Sequence, residues 1–125
     1  MPPIQTYSGT VIKGLQNGRK FGFPTANLHL DDQKTLIERG VYAVTIFLQH
    51  RTLNGMLYVG TRPTLNLSNI SVEINIFEFF EDIYDKNISF SVIKKIRDEK
   101  KFENTDALIQ QLKSDQYEAM QILGY

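Results

Sequence analysis

The chain contains no cysteine, which excludes a disulfide framework and thiolate chemistry. It also lacks an excess of either charge, because Lys and Arg total 14 and Asp and Glu total 14. No broad basic surface is therefore expected to attract nucleic acid or an anionic membrane. No apolar run is long enough to cross a bilayer, and the first residues lack the pattern of a signal peptide. We expect a cytoplasmic protein without membrane or nucleic-acid partners, in which any phosphate site is local.

The 125 residues, 42% of them hydrophobic, are enough for one domain with its own core. We expect that domain to span residues 1–125, with residues 1–6 as the end of a linker. Runs of β-branched and aromatic residues separated by turn formers predict mainly extended structure. These runs are Tyr7 to Lys13, Phe23 to Leu30, Gly40 to Gln49, Thr52 to Gly60, Ile70 to Phe77 and Ile88 to Ile96.

The run "ISVEINIF" has the clearest period of two, with its Ile and Val residues on one face and Glu73 on the other. Residues 88–96 repeat this alternation, and we expect the two runs to pair as an antiparallel hairpin. From Asn104 the period changes to that of a helix over residues 104–123, with Asn104 or Thr105 as the N-cap and Gly124 as the stop. Five or six strands followed by one helix predict a small antiparallel barrel with the helix packed on it.

The stretch "NGRKFGFPTANLHL", from Asn17 to Leu30, carries the chemistry. If it is extended, Thr25 and Asn27 lie on one face and offer two neutral oxygens to Mg²⁺, whose octahedron water and substrate phosphates would complete. The backbone of the upstream glycines can approach a polyphosphate, and Arg19 and Lys20 add positive charge. Two alternatives stay open: Thr25 and Asn27 could belong to an ordinary turn, and Glu73 could be a solvated strand residue.

As a set, the motifs "GTVIKG", "GRKFGFPTANL", "GVYAV", "VGTRPT", "SVEINIFEF", "DIYDKNISF", "IRDEKKF" and "ALIQQLKSD" closely resemble riboflavin kinase. This module also forms the C-terminal half of bacterial bifunctional riboflavin kinase/FAD synthetases. The resemblance runs from about Tyr7 to about Met120. It implies a mainly β fold, a small closed six-stranded antiparallel barrel with Greek-key-like order and a C-terminal helix packed on it.

The resemblance also implies an activity: transfer of the ATP γ-phosphate to the ribityl 5′-hydroxyl of riboflavin, giving FMN and ADP. Glu73 matches the family's base, and Thr25 and Asn27 match the residues that help to hold the metal. The metal is Mg²⁺ or another divalent cation such as Zn²⁺ or Mn²⁺, and ATP is the co-substrate. The chain is either a stand-alone kinase or a domain of a bifunctional enzyme, in which a covalent N-terminal FAD synthetase (adenylyltransferase) domain is the expected partner. The positions implied to bind nucleotide or flavin are Gly14, Arg19, Lys20, Gly22, Pro24, Thr25, Asn27, Arg97 and Phe102.

Three positions depart from the family pattern: Tyr58 stands where relatives often have Asn, Asn75 where they often have His, and Asp85 where they often have Gly. None of them removes an implied metal ligand or the base. Two alternatives to the kinase are a non-catalytic flavin- or nucleotide-binding barrel and an oligonucleotide-binding barrel. The second is disfavoured by the neutral charge and by the lack of a basic aromatic stripe.

Overall fold

The computed structural model describes residues 6–12, 25–31, 37–61 and 70–124. Within them the strands all pair antiparallel and close into one barrel, in the order β1-β2-β5-β4-β3-β6. One helix follows the last strand. The elements are β1 (Thr6–Ile12), β2 (Ala26–Leu30), β3 (Gly40–Leu48), β4 (Arg51–Thr61), β5 (Ile70–Ile76), β6 (Asn87–Arg97) and α1 (Thr105–Ile122).

The strand order confirms the six-stranded barrel and its Greek-key-like character. β3, β4 and β5 are neighbours in sequence and in space, while β6 returns to lie on the far side of β3. The spatial order β6-β3-β4-β5 is that of a Greek key. β3 and β4 form a hairpin that runs from Gly40 opposite Val59 to Leu48 opposite Arg51.

The predicted hairpin between residues 70–77 and 88–96 is wrong. β5 lies between β2 and β4, and β6 lies between β1 and β3. The connection between them leaves β4, where Phe77 N donates to Asn54 O at 2.9 Å, and crosses to β1. There Asp85 N donates to Val11 O, and Val11 N donates to Lys86 O, each at 2.9 Å. Alternation along a strand assigns its faces but not its partner, so the pattern that suggested a hairpin could not decide the pairing.

The strands divide their side chains between a core inside the barrel and a smaller cluster beneath α1. The inner core holds residues such as Ile46, Leu57, Ile74 and Phe90, each at most 1% exposed. On the outer face, α1 packs on a second cluster, made of Val41, Ala43, Met56, Phe77 and Ala119. The helix therefore covers only one part of the outer surface of the barrel.

α1 begins and ends as its sequence predicts. Asn104 is the N-cap, and its side-chain oxygen accepts from Ala107 N at 2.8 Å. Gly124 has a φ of 89°, the left-handed conformation in which glycine ends helices. No helix among the described residues has the length and apolar character that a membrane crossing requires.

Candidate active site

Five of the strands bring one residue each into a continuous row on the outer face of the barrel. Asn27 lies opposite Glu73, Glu73 opposite Tyr58, Tyr58 opposite Val41, and Val41 opposite Arg97. With neighbouring strands about 4.8 Å apart, the row spans roughly 19 Å. Asn27, Glu73, Val41 and Arg97 come from four different motifs of the family pattern. The barrel brings these motifs, which are far apart in sequence, onto one surface.

At one end of this row three polar side chains meet. Thr25 Oγ1 donates to Glu73 Oε1 at 3.4 Å across 48 residues of sequence, and Asn27 is paired with Glu73 in the strand register. Asn27 is 2% exposed, whereas Thr25 and Glu73 are half-buried. Because a hydroxyl that gives its proton to a carboxylate retains its lone pairs, Thr25 suits a cation ligand beside Glu73. The site is thus built of neutral oxygens next to one carboxylate, a donor set that fits a hard divalent cation.

A cavity of about 90 Å³ opens beside Thr25 and Asn27. It lies where the ends of β1 and β2 meet the connection between β5 and β6, and its lining includes Ile12, Phe79, Asp82 and Tyr84. Among the described residues, no group of three or more His, Cys, Asp or Glu side chains could hold a metal. A cation at Thr25 and Asn27 would therefore need ligands from its substrate, as Mg²⁺ in nucleotide sites commonly does.

Tyr58, one of the three departures from the family pattern, is also a member of the row. It is half-buried on the outer face, against the cluster beneath α1. Burial raises the pKa of its phenol above the ordinary value; Arg97 opposes this rise, and Glu99 and Glu73 add to it. A Cβ on Gly60 would lie 2.6 Å from Glu99 Oε2 and 2.9 Å from Tyr58 Cε1. Because Gly60 has no Cβ, the Glu99 carboxylate and the Tyr58 ring can both lie close to the β4 backbone at this residue.

Arg97 and Phe102 lie together at the other end of the row. The guanidinium carbon of Arg97 is 5.7 Å from the centroid of the Phe102 ring. Arg97 also makes a two-pronged ion pair with Asp115 of α1, with Nη2 to Oδ2 at 2.8 Å and Nε to Oδ1 at 2.9 Å. Asp115 is a site residue that the sequence motifs did not single out. Its signal was an acidic residue in the apolar stripe of the helix, between Leu112 and Ala119.

Of the other positions named from the sequence, Asn75 and Asp85 belong to the described residues and five others do not. Asn75, a departure from the family pattern, is buried on β5, and Asp85, another departure, adopts a φ of 70°. Asp85 thus takes the left-handed conformation for which glycine is the easier residue. The predicted positions Gly14, Arg19, Lys20, Gly22 and Pro24 lie outside the described residues.

Comparison with known proteins gives one family. The family model described as flavokinase, riboflavin kinase, matches residues 3–123. The RNA-binding riboflavin kinase RibR of Bacillus subtilis is 41% identical over 110 residues, which are 86% of this chain and 46% of that protein. The bifunctional riboflavin kinase/FMN adenylyltransferase of the same organism is 36% identical over 115 residues, 90% of this chain and 36% of that protein. The chain thus spans between about a third and a half of the length of these relatives.

Solved structures share the fold. A protein from Streptococcus pneumoniae described as a macrolide-efflux protein superposes with a TM-score of 0.81 at 37% identity, over 88% of this chain and 36% of that one. The riboflavin kinase of Trypanosoma brucei superposes with a TM-score of 0.64 at 24% identity, over 94% of this chain and 78% of that one. With the family match over almost its whole length, the chain belongs to the riboflavin kinase family, whose members are kinases with an alcohol acceptor.

Proposed function

We propose that this chain is a riboflavin kinase that transfers the γ-phosphate of ATP to the ribityl 5′-hydroxyl of riboflavin, giving FMN and ADP. The observation that carries the proposal is the meeting of Thr25, Asn27 and Glu73 at one end of the row, in a chain of this family. Phosphoryl transfer needs mainly in-line positioning and charge neutralisation, which a cation site beside a carboxylate can supply.

Glu73 is the proposed base. It accepts the proton of the 5′-hydroxyl as that oxygen attacks the γ-phosphorus, and so orients the nucleophile. A carboxylate has about four acceptor positions, so the bond from Thr25 leaves capacity for a substrate hydroxyl. The rigid strand β5 holds the carboxylate, and its pairing with β2 keeps it beside the proposed cation ligands.

Thr25 and Asn27 are the proposed ligands of the divalent cation, which neutralises charge on the ATP phosphates when it is bound. Mg²⁺ is the proposed ion because both ligands are neutral oxygen donors, with Mn²⁺ or Zn²⁺ as substitutes. The proposed nucleotide-binding positions also include Gly14, Arg19, Lys20, Gly22 and Pro24, of which Gly14, Arg19 and Lys20 are proposed to cover the nucleotide. Arg97 and Phe102 are proposed to border the flavin.

The domain organisation and the compartment of the protein are also proposed from its family. The family match over residues 3–123 supports one kinase domain, and the bifunctional relatives support a covalent N-terminal adenylyltransferase domain as partner in a longer protein. The proposed compartment is the cytoplasm, where ATP and riboflavin are both available. RNA binding, part of one relative's name, is left out of the proposal because this chain carries equal numbers of basic and acidic residues.

The test is incubation of the purified chain with riboflavin and MgATP, followed by chromatography that separates FMN and ADP from their precursors. We expect equal amounts of FMN and ADP, and we expect Glu73→Gln to lower kcat by about 10²- to 10⁴-fold with ATP affinity retained. Glu78→Gln, at an exposed glutamate just after β5, is the matched control. Binding of riboflavin or ATP without any ADP would favour the non-catalytic binding barrel, and an undiminished kcat would remove Glu73 from the role of base.

A further inference from the structure

Asp115 lies in the middle of α1 with its side chain only 1% exposed. Both of its carboxylate oxygens accept hydrogen bonds. Oδ1 accepts from Arg97 Nε and from Gln111 Nε2, each at 2.9 Å, and Oδ2 accepts from Arg97 Nη2 at 2.8 Å. The Arg97 side chain is itself only 14% exposed. One buried carboxylate therefore joins the end of β6 to two turns of the helix.

A buried pair of this kind is poorly explained by stability alone. Removing both charges from water largely offsets their attraction, so such pairs often contribute little net free energy of folding. The planar fork of an arginine bonded to a carboxylate at two points instead defines an orientation, which a lysine could not do. The pair is therefore best understood by what it orients.

Asp115 is connected to both walls of one cleft, through Gln111 and through Arg97. Gln111, bonded directly to the carboxylate, lines a cleft of about 480 Å³ between α1 and the segment before it. Phe102 lines the same cleft from that segment and lies against the Arg97 guanidinium. Arg97 also holds the start of the segment, because Nη1 donates to Asp98 O at 3.0 Å. Asp115 thus supports one wall directly and the other through Arg97.

We infer that Asp115 is a positioning residue for the acceptor substrate, an inference that rests on the proposed riboflavin kinase function. It orients Gln111 directly and Phe102 through Arg97, at the end of the row opposite the proposed cation ligands. Its loss should weaken binding of riboflavin while leaving the binding of ATP, which is proposed for the other end of the row, almost unchanged.

The experiment compares steady-state kinetics of the wild-type chain, Asp115→Asn and Glu118→Gln. Asn has nearly the shape of Asp but presents only one acceptor oxygen and no charge to Arg97. For Asp115→Asn we expect the riboflavin KM to rise about tenfold or more, as loss of a charged hydrogen bond implies, with the ATP KM within about twofold of wild type. Glu118→Gln makes the same change of charge at an exposed site on the same helix and should leave both constants within about twofold.

A second variant keeps the test valid if Asp115→Asn does not fold. Arg97→Lys retains the positive charge opposite Asp115 but loses the two-pronged geometry, so it should raise the riboflavin KM to a similar degree. If Asp115 acts through Arg97, the double variant should be no worse than the more affected single variant, because the two residues form one unit. Additive effects, or equal rises in both KM values, would overturn the inference. So would an unchanged riboflavin KM accompanied by a lower melting temperature, the result expected of a purely structural pair.

Failure of the proposed function is a separate result. If the wild-type chain produces no FMN, that function is wrong, and quenching of riboflavin fluorescence then measures binding without turnover. A riboflavin Kd about tenfold or more weaker in Asp115→Asn than in wild type would support the positioning role even then. Equal Kd values, or no binding by the wild type, would overturn it.

Discussion

Tyr58 lies between the proposed base and the arginine at the far end of the row. Its strand neighbour on one side is Glu73, and on the other side Val41 separates it from Arg97. The ring packs on the cluster beneath α1, while the raised pKa of the phenol keeps the hydroxyl protonated throughout the neutral range. The hydroxyl can therefore donate a hydrogen bond near the base, but it cannot serve as a base itself.

Tyr58→Phe removes this hydroxyl and keeps the ring. We expect kcat/KM for riboflavin to fall about two- to tenfold, the effect of one neutral hydrogen bond, with the pH profile between about pH 6 and pH 9 unchanged. Steady-state kinetics over that range provide the measurement. Tyr117→Phe, at a tyrosine of α1 that is 68% exposed, is the matched control. A change in the pH profile would show that the Tyr58 phenol ionises in the neutral range and would contradict the raised pKa.

At the scale of elements, α1 was predictable from local signals. Its apolar spacing, its N-cap at Asn104 and its glycine stop are all properties of consecutive residues, and the structure contains each of them. What the local signals did not reveal is that Asp115 sits among the apolar residues because Arg97, 18 residues away, is its partner. A charged residue in an apolar stripe signals a partner but does not identify it.

Asn104→Ala should lower the free energy of unfolding by about 1 kcal/mol, because the amide of Ala107 loses the oxygen that caps it. Asn104→Asp keeps an acceptor oxygen and adds a negative charge at the positive end of the helix dipole, so it should retain the stability of the wild type. Urea unfolding followed by circular dichroism measures both. If both variants lose the same free energy, the contribution of Asn104 is not that of a cap.

At the scale of the whole molecule, the barrel is closed by the pairing of β1 with β6, from Thr6 opposite Ser91 to Thr10 opposite Asn87. Phe90 of β6 is fully buried inside the barrel, next to the β1–β6 pairing. Its ring stacks on that of Tyr7 at a centroid distance of 5.4 Å. Core packing in a closed barrel depends on all six strands at once, so a void at Phe90 affects the whole sheet.

Phe90→Ala should therefore destabilise the barrel by about 3–5 kcal/mol, the usual cost of deleting a buried phenylalanine ring. Phe80→Ala removes the same atoms from a side chain that is 92% exposed and should change stability by no more than about 0.5 kcal/mol. Denaturant midpoints and slopes for the two variants give the comparison. Similar losses would show that Phe90 does not pack in the core.

Local patterns in the sequence were enough to predict where the strands run, that Val72, Ile74 and Ile76 share the inward face of β5, and where α1 begins and ends. These depend on a period of two or 3.6 and on caps a few residues long. The family pattern also singled out Thr25, Asn27 and Glu73 as a set, although it could not give the distances among them. Tertiary structure alone decided that β5 pairs with β2 and not with β6, which is why Asn27 lies opposite Glu73. Alternation leaves the neighbour of a strand open, and only closure of the barrel around one core selects it.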